Sequence, residues 1–264
     1  MTGPANDDFV ERGLCMRTAG CLFERSRRIN ATENNSISIR LSVLEIYNEG
    51  ITDLLRNSPS ISTMASSAGG TQIQTHATLT QTHTQQAQMQ KLSIVDTPNG
   101  IIIPGLYLLP LSCEDDAYNL LFEAYSNRVV AEHQLNRRSS RSHVIYTYYI
   151  TRTKLFPSVN GADVDPEVVN SKLHLIDLAG SERVEKTGSV GNLQKEASHI
   201  NRSLTFLEQV VIALTQTKRD HIPYRQSKLT YLLKDSLGGN CHSFMVACIW
   251  PHEKHGWETL STLR

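Results

Sequence analysis

The sequence has no apolar run approaching the roughly 20 residues that a helix needs to span a bilayer, and its first residues, MTGPANDDF, resemble no signal or transit peptide. It has no excess of charge, because 26 Lys and Arg residues balance 26 Asp and Glu residues. Its five cysteines lack the paired spacing of a zinc site. We therefore expect a soluble, reduced, intracellular protein with no membrane partner and no global field that would attract nucleic acid.

The remaining pattern alternates between strands and helices, which predicts an α/β fold with one mostly buried sheet flanked by helices. Apolar side chains alternate over residues 37–43, as in a strand, and a last strand is predicted at residues 243–250. The segment 91–109 contains the turn sequence PNG and predicts a hairpin. Residues 11–28 predict a helix, with one side formed by Leu14, Cys21 and Leu22.

One segment departs from this pattern. From Asn57 to Gln90 the chain consists mainly of Ser, Thr, Gln, Ala and Gly, with hardly any apolar content. Such a composition cannot bury enough surface to offset the entropy of ordering the chain. We expect residues 57–90 to be a disordered surface insertion that is dispensable for folding.

The segment LHLIDLAGSE, residues 173–182, is a strand-like apolar run that ends on Asp177 and is followed by Gly180. At the carboxyl end of a strand, a carboxylate can hold Mg²⁺, and a glycine lets a backbone N–H approach a terminal phosphate. The alternative is that Asp177 only caps the following segment. This pattern alone does not decide between the two.

A second segment, NRRSSRSH at residues 136–143, places hydroxyl groups and a guanidinium between a predicted helix and a predicted strand. Ser hydroxyls can coordinate Mg²⁺ or a γ-phosphate oxygen. Arg141 and Glu182 have opposite charges, so a salt bridge between them would close the two segments over a nucleotide. A basic, Ser-rich loop or phosphorylation site would explain this segment alone, but not the pair of segments together.

Both segments resemble the kinesin motor domain, with NRRSSRSH similar to its switch I motif and DLAGSE similar to its switch II motif. The stretch at residues 221–240, HIPYRQSKLTYLLKDSLGGN, resembles the microtubule-facing loop and helix of the family. LEIYNE at residues 44–49 and KEASHINRSL at residues 195–204 resemble two further kinesin blocks. The five blocks follow the family order, and residues 1–264 are identified as a partial kinesin motor domain. FLEQ and RDHIPYRQSKLT look most like the ninth kinesin class, found in cilia and flagella.

The resemblance implies the three-layer fold of P-loop NTPases, ATP and Mg²⁺ as cofactors, and a microtubule-stimulated ATPase activity. The residues that it implies for catalysis are Ser139, Ser140, Arg141, Asp177, Gly180 and Glu182. Mg²⁺ would be held by Ser140 and Asp177, partly through water. The residues implied to support the nucleotide switches are Asn136, Ser142, His143 and Asn201. The helix predicted at residues 195–216 would carry the nucleotide-dependent change to the tubulin side.

Kinesins hold the triphosphate in a P-loop, G-x-x-x-x-G-K-[ST], and no such match occurs in this sequence. The nearest candidate, GSERVEKT at residues 180–187, has Glu185 where the second glycine must be, and its carboxylate would repel phosphate. In many kinesins the residues after the P-loop read like TMTG, which resembles the MTG at the start of this chain. We therefore expect the chain to begin just after the P-loop, without the first strands, and to stop before the neck linker. On its own it is expected to be inactive as an ATPase.

Two alternatives belong to other classes. The D-x-x-G pattern at residues 177–180 and TKRD at residues 217–220 together mimic small GTPases, but that interpretation requires VVIAL before TKRD to be a strand. Helical spacing of the apolar residues between Leu204 and Leu214 favours a helix instead. The other alternative is a microtubule-binding module without nucleotide chemistry, which would explain the missing P-loop but not the intact switch segments.

Basic residues concentrate between Thr217 and Lys234, on a chain that is neutral as a whole. The alternative to a binding surface is a solvated helix face. The resemblance implies microtubules as the partner. Nucleic acid is not expected, because no aromatic residues interleave with the basic ones in a stacking pattern. The contacts that the resemblance implies are Arg183, Lys186, Lys218, Arg219, His221, Arg225 and Lys228. The implied location is the cytoplasm and cytoskeleton, and the likeness to the ninth class adds the axoneme of a cilium or flagellum.

Overall fold

The long strand β1, Asn35–Tyr47, pairs with three other strands and organises the sheet. The structure is a computed structural model that describes residues 12–32, 34–56, 58, 92–134, 141–156, 165–180, 192–216 and 221–263. Of the insertion predicted at residues 57–90, only residue 58 is among them, so that prediction lies outside the described residues. Within the described part, no helix is both long and apolar enough to cross a membrane.

The sheet is antiparallel throughout, with the strand order β2-β1-β6-β7. Strand β2 is Gly50–Asp53, β6 is His143–Lys154 and β7 is Glu167–Asp177. A short strand β5, Leu109–Leu111, pairs with the first half of β1. Strand β7 ends the strand order among the described residues, and its first six residues are exposed. β7 thus lies at the edge of the described sheet, although apolar runs such as LHLI are typical of interior strands.

Both faces of β1 are buried, as the alternation of its side chains requires. Ile39, Leu41 and Val43 belong to one apolar cluster, whereas Leu44 and Ile46 belong to a second one. Two helices cover the first cluster, α1 at Leu14–Asn30 and α2 at Glu114–Gln134. The second cluster is covered by helix α3 at Asn192–Thr215, helix α4 at Lys228–Leu232 and apolar residues between positions 92 and 108.

The helix predicted at residues 11–28 is present as α1, Leu14–Asn30. Its buried residues follow the spacing i, i+4, i+8, i+11 and are Cys15, Ala19, Phe23 and Ser26. Of the side named from the sequence, Leu22 packs partly buried against the first cluster, whereas Leu14 is 49% exposed and Cys21 is exposed. The side that faces the core is thus offset from the one that the pattern named.

Helix α3 decides against the GTPase alternative. The VVIAL segment, residues 210–214, lies inside this helix, with Val210 and Ala213 fully buried. The strand required for guanine recognition is therefore absent, and that alternative was wrong.

The strand predicted at Ser243–Trp250 was also wrong, because these residues have no regular secondary structure and Phe244 is 93% exposed. An apolar run becomes a strand only where a sheet edge accepts its hydrogen bonds, and no described strand pairs with it. The described elements after α4 are α5 at Lys234–Gly238 and α6 at Gly256–Thr262. Two 3₁₀ turns, Tyr224–Gln226 and Glu253–His255, precede α4 and α6.

The predicted hairpin is present as β3, Val95–Thr97, and β4, Gly100–Ile102. Three contacts tie it to the second face of the sheet and its helices. The Asp235 carboxylate accepts a hydrogen bond from the Ile101 N–H at 2.6 Å. Lys172 Nζ on β7 donates to the Ile101 carbonyl at 3.1 Å, and Lys234 Nζ donates to Asp96 at 2.6 Å. The hairpin is thus joined to both β7 and α5.

Gly100 has a φ of +102°, and a Cβ built on it would lie 2.5 Å from Asp235 Oδ2. We expect Gly100→Ala to lower the free energy of unfolding by about 2 kcal/mol, because the backbone is strained and the Asp235 carboxylate must leave Ile101. The control is Gly256→Ala, since Gly256 has a φ of −57° and nothing lies within 4 Å of its added Cβ. Chemical denaturation of the two variants measures the difference, and an equal effect of both would contradict the expected strain.

Candidate functional site

The first group of predicted residues meets where β7 ends and β6 begins. Asp177 is the last residue of β7 and pairs in register with Val144, so it lies beside His143 and Ser142. The Asp177 side chain is 42% exposed, whereas Ser142 and His143 are buried. A half-exposed carboxylate therefore stands at the edge of a buried polar group.

Arg128 of α2 connects these residues, and the sequence analysis did not identify it. Its NH2 group donates to Ser142 Oγ at 3.1 Å. The same guanidinium lies 3.7 Å from Glu45 Oε1 and 4.0 Å from Asp177 Oδ2, with its side chain only 12% exposed. One largely buried cation thus contacts a side chain of β1, a side chain of β7 and the side chain of the residue before β6.

Glu45 gave a signal in the sequence that could have led to Arg128. It stands at an odd-numbered position of β1, on the same face as Leu41 and Val43, and is 3% exposed. A carboxylate at an inward position of an alternating strand needs a buried partner. The sequence could not show that this partner comes from α2.

His143 forms the second connection of the site. Its Nδ1 accepts a hydrogen bond from the Ala179 N–H at 3.0 Å, and its Nε2 lies 2.7 Å from Ser203 Oγ. Because Nδ1 accepts, the neutral ring carries its proton on Nε2 and donates it to Ser203. Burial lowers the pKa of His143 to about 4, so the ring is neutral near pH 7. The start of β6, the segment after β7 and α3 are thereby joined.

The other predicted switch residues are only partly within the described chain. Arg141 lies just before β6, and Gly180 ends the described range 165–180, three residues after the end of β7. Asn201 lies in α3, but nothing is described of its side chain. The Arg141–Glu182 salt bridge stays a prediction. The predicted residues outside the described part are Asn136, Ser139, Ser140, Glu182, Arg183, Lys186, Lys218 and Arg219.

The donor atoms around Asp177 fit the predicted magnesium ion. Mg²⁺ in nucleotide sites is typically bound by one or two carboxylates, with phosphate and water oxygens completing the shell. Asp177 offers one half-exposed carboxylate of that kind, and the predicted second ligand, Ser140, is not described. Among the described residues, including those around Asp177, no three His, Cys, Asp or Glu side chains gather as a metal site.

A second group of predicted residues lies around the start of α4. The side chain of Arg225 is 77% exposed, with its guanidinium 5.4 Å from the centre of the Tyr231 ring and 3.9 Å from Asp96 Oδ2. Lys228 is the first residue of α4, where Ser227 and Thr230 form a capping box, and His221 is exposed. Lys234, by contrast, hydrogen-bonds to Asp96. Among the described cations of this basic segment, Arg225 is exposed and Lys228 is half-buried, whereas Lys234 braces the hairpin.

The two groups lie on connected elements. Helix α3 carries Ser203, which binds His143, and it also contacts α4 and the 3₁₀ turn that holds Arg225. The polar group at the end of β7 is thus linked through one long helix to the basic segment.

The chain belongs to the kinesin motor domain family, whose sequence profile matches residues 1–264. It is 42% identical over 264 residues to the kinesin-like protein KIF9 of Mus musculus, which covers 100% of this chain and 29% of that protein. It is 38% identical over 258 residues to the kinesin-like protein KLP1 of Chlamydomonas reinhardtii, covering 97% and 28% of the two chains. The similarity to KIF9 confirms the predicted likeness to the ninth kinesin class. The chain spans less than a third of either relative.

Solved kinesin structures confirm the predicted fold class. A fast kinesin superposes with a TM-score of 0.78 at 32% identity, over 100% of this chain and 63% of that one. A KIF14 dimer with AMP-PNP, in complex with a microtubule, gives a TM-score of 0.74 at 34% identity, over 96% and 63% of the two chains. The fold is thus that of a kinesin motor domain, with a central antiparallel sheet flanked by helices.

The buried neutral His143 makes folding sensitive to acid. Its folded pKa of about 4 lies below the ordinary value of 6.5, so the unfolded chain binds the extra proton first. Its contribution is complete above pH 6.5 and is lost as the pH falls towards 4. Between pH 7 and pH 5 this loss is about 2 kcal/mol of unfolding free energy.

We expect His143→Gln, which keeps an acceptor and a donor, to be less stable at pH 7 but to lose about 2 kcal/mol less than the wild type on going to pH 5. Urea denaturation at the two pH values measures both quantities. His174→Gln is a positive control, because burial also lowers the pKa of His174 to about 4. It should reduce the acid sensitivity of folding in the same direction. An unchanged acid sensitivity in His143→Gln would contradict the neutral state of His143.

The Arg128–Glu45 contact predicts a non-additive double-mutant cycle. Each single change, Arg128→Met or Glu45→Gln, leaves the remaining charge buried and should cost about 3 kcal/mol of stability. The double variant should cost less than the sum, because neither charge of the Arg128–Glu45 pair is left without the other, and the half-exposed Asp177 loses Arg128 equally in the Arg128→Met single variant. Equal denaturation data for the double variant and the summed singles would show that the two charges do not interact.

Proposed function

We propose that the chain acts as part of a microtubule motor, in which ATP binding and hydrolysis are coupled to microtubule-based movement. The observation that carries this proposal is the chain of contacts from Asp177 and Arg128 through His143 and Ser203 to α3 and the basic segment. It joins a carboxylate suited to Mg²⁺ with a surface suited to an acidic partner. The nucleotide-bound KIF14 structure on a microtubule supports both halves of the assignment.

On the nucleotide side, Asp177 and Ser140 would hold Mg²⁺, while Ser139, Arg141, Gly180 and Glu182 would surround the γ-phosphate. The bound ion supplies positive charge that neutralises the phosphate oxygens during transfer. Arg128 keeps the Asp177 carboxylate close to Ser142, and the Arg141–Glu182 salt bridge would close the two switch segments. Neutral His143 keeps the segment after β7 attached to α3 through Ala179 and Ser203.

The sequence contains no P-loop motif, so this chain by itself offers no backbone cradle for the triphosphate. We therefore propose that the 264 residues alone do not hydrolyse ATP at a motor's rate. Positioning and electrostatic stabilisation account for most of the catalysis in phosphoryl transfer, and intact switches cannot replace the cradle.

On the partner side, we propose that microtubules bind the surface of Arg225 and Lys228, with His221 beside them. The acidic surface of tubulin would attract these basic side chains and steer association. The contacts implied for Arg183, Lys186, Lys218 and Arg219 remain part of this proposal. We also propose a cytoskeletal location, and for a member of the ninth class a ciliary or flagellar one.

The combined change Arg225→Ala and Lys228→Ala tests this surface. We expect about tenfold weaker co-sedimentation with microtubules at low salt, since each exposed pair contributes up to about 1 kcal/mol. The salt dependence of binding should also flatten, because the lost attraction is the one that ions screen.

The matched control is Arg25→Ala with Arg27→Ala, which removes the same charge from the exposed side of α1, on the opposite side of the sheet. Thermal unfolding must show that both variants remain folded. Wild-type binding by the Arg225/Lys228 variant, or an equal loss in the control, would refute the placement of the surface.

A further inference from the structure

We propose that Glu49, in the turn between β1 and β2, is a positioning residue for the microtubule-binding surface. It would hold the backbone of Lys228, the first residue of α4, in place. It would thereby set the direction in which the side chains of Lys228 and of the preceding Arg225 point. This inference rests on the proposed function, because it takes Arg225 and Lys228 as the partner contacts. Glu49 itself would make no contact with the partner.

The first observation is a contact between segments that are far apart in the sequence. Glu49 Oε2 accepts a hydrogen bond from the Lys228 N–H at 2.8 Å. This N–H belongs to the first turn of α4 and has no partner within the helix. The capping box of Ser227 and Thr230 satisfies the following turn, with Thr230 N–H donating to Ser227 Oγ at 3.1 Å. Glu49 therefore completes the start of α4 from another element.

The second observation is that Glu49 occupies a backbone position that does not suit it. Tyr47 pairs with Gly50, so Asn48 and Glu49 form a two-residue hairpin loop, and their φ angles are +47° and +58°. Such loops strongly prefer Asn-Gly or Asp-Gly, since a side chain with a Cβ is strained at positive φ. A glutamate here costs stability that glycine would avoid. The carboxylate that reaches Lys228 gives this residue a physical purpose.

The third observation concerns charge. A carboxylate at the Lys228 backbone has the wrong sign for a surface that attracts an acidic partner, so its charge alone predicts that removing it strengthens binding. Positioning has the opposite consequence, because a loosened α4 start would weaken binding. The two effects therefore predict opposite signs for the same substitution, which makes the inference testable.

The opposite end of the same segment is held in a similar way. Asp96 of the hairpin accepts a hydrogen bond from Lys234, and Asp235 accepts one from the Ile101 N–H. The segment from α4 to α5 is thus attached at its first residue by Glu49 and at its end by the hairpin. Four residues before Glu49 on the same chain segment, Glu45 contacts Arg128. The end of β1 therefore touches both the nucleotide-side residues and the start of α4.

The test compares two substitutions that remove the same charge but differ in reach. Glu49→Gln keeps the side-chain length and an acceptor oxygen, so the contact with Lys228 is retained. Glu49→Asn is one methylene shorter and cannot reach Lys228, yet Asn tolerates a positive φ better than Glu. The control is Glu208→Gln, which removes one charge from the exposed side of α3. Co-sedimentation of the 264-residue chain with microtubules, amide hydrogen exchange at Lys228 and thermal unfolding are measured for each.

We expect Glu49→Asn to bind microtubules about fivefold more weakly than the wild type, while its melting temperature stays equal or rises. Its Lys228 amide should exchange faster. Glu49→Gln should bind within about twofold of the wild type, and Glu208→Gln should bind equally or slightly more tightly. If Glu49 had a purely structural role, Glu49→Asn should weaken binding only by lowering stability. Weaker binding with an equal or higher melting temperature therefore supports positioning.

Binding by Glu49→Asn that equals or exceeds that of Glu49→Gln would overturn the inference, because charge alone would then explain the result. If Glu49→Asn does not fold, Glu49→Gly supplies the same comparison, since glycine accepts the turn without strain. If the Arg225/Lys228 variant binds like the wild type, the proposed surface has failed. In that case hydrogen exchange at the Lys228 amide tests the positioning role on its own. An unchanged exchange rate in Glu49→Asn would overturn it.

Discussion

A guanidinium that is largely removed from water needs partners in fixed places, and Arg128 imposes this constraint on the site. Its contacts with Glu45, Ser142 and Asp177 come from β1, the approach to β6 and the end of β7. Removing one partner of a buried charge strongly lowers the free energy of unfolding. Only a small range of backbone positions allows all three contacts at once. The register of the three strands and the placement of α2 are therefore coupled to the position of the Asp177 carboxylate.

His143 solves a different problem at the same edge of the sheet. It is buried as a neutral ring, so it joins two elements without a charge that would have to be compensated. Arg128 gives the site a strong but position-sensitive electrostatic link, and His143 gives it a directional hydrogen-bond link to α3. Because the His143 contacts are single hydrogen bonds, they can exchange partners at modest cost. This difference suits a site in which one part stays fixed and another transmits a change.

The parts that the sequence predicted correctly depend on local signals. The alternation in β1, the PNG turn and the apolar spacing of α3 each act over a few residues. The kinesin blocks also led to Asp177 and His143, which the structure places together. The failure at residues 243–250 depends on a partner elsewhere in the chain, because a strand there needs a sheet edge that no local pattern specifies. Arg128 was not identified for the same reason, because its contacts come from residues far away in the sequence.

The two carboxylates at the end of β1 show how a single short segment can serve two tasks. Glu45 points to the first face of the sheet, where it meets Arg128, and Glu49 follows in the turn, where it meets the Lys228 N–H. Only Ile46, Tyr47 and Asn48 separate the two residues, and a regular strand followed by a two-residue turn leaves little freedom between them. The end of β1 and its turn therefore hold the side chains around Asp177 and the start of α4 in a common frame.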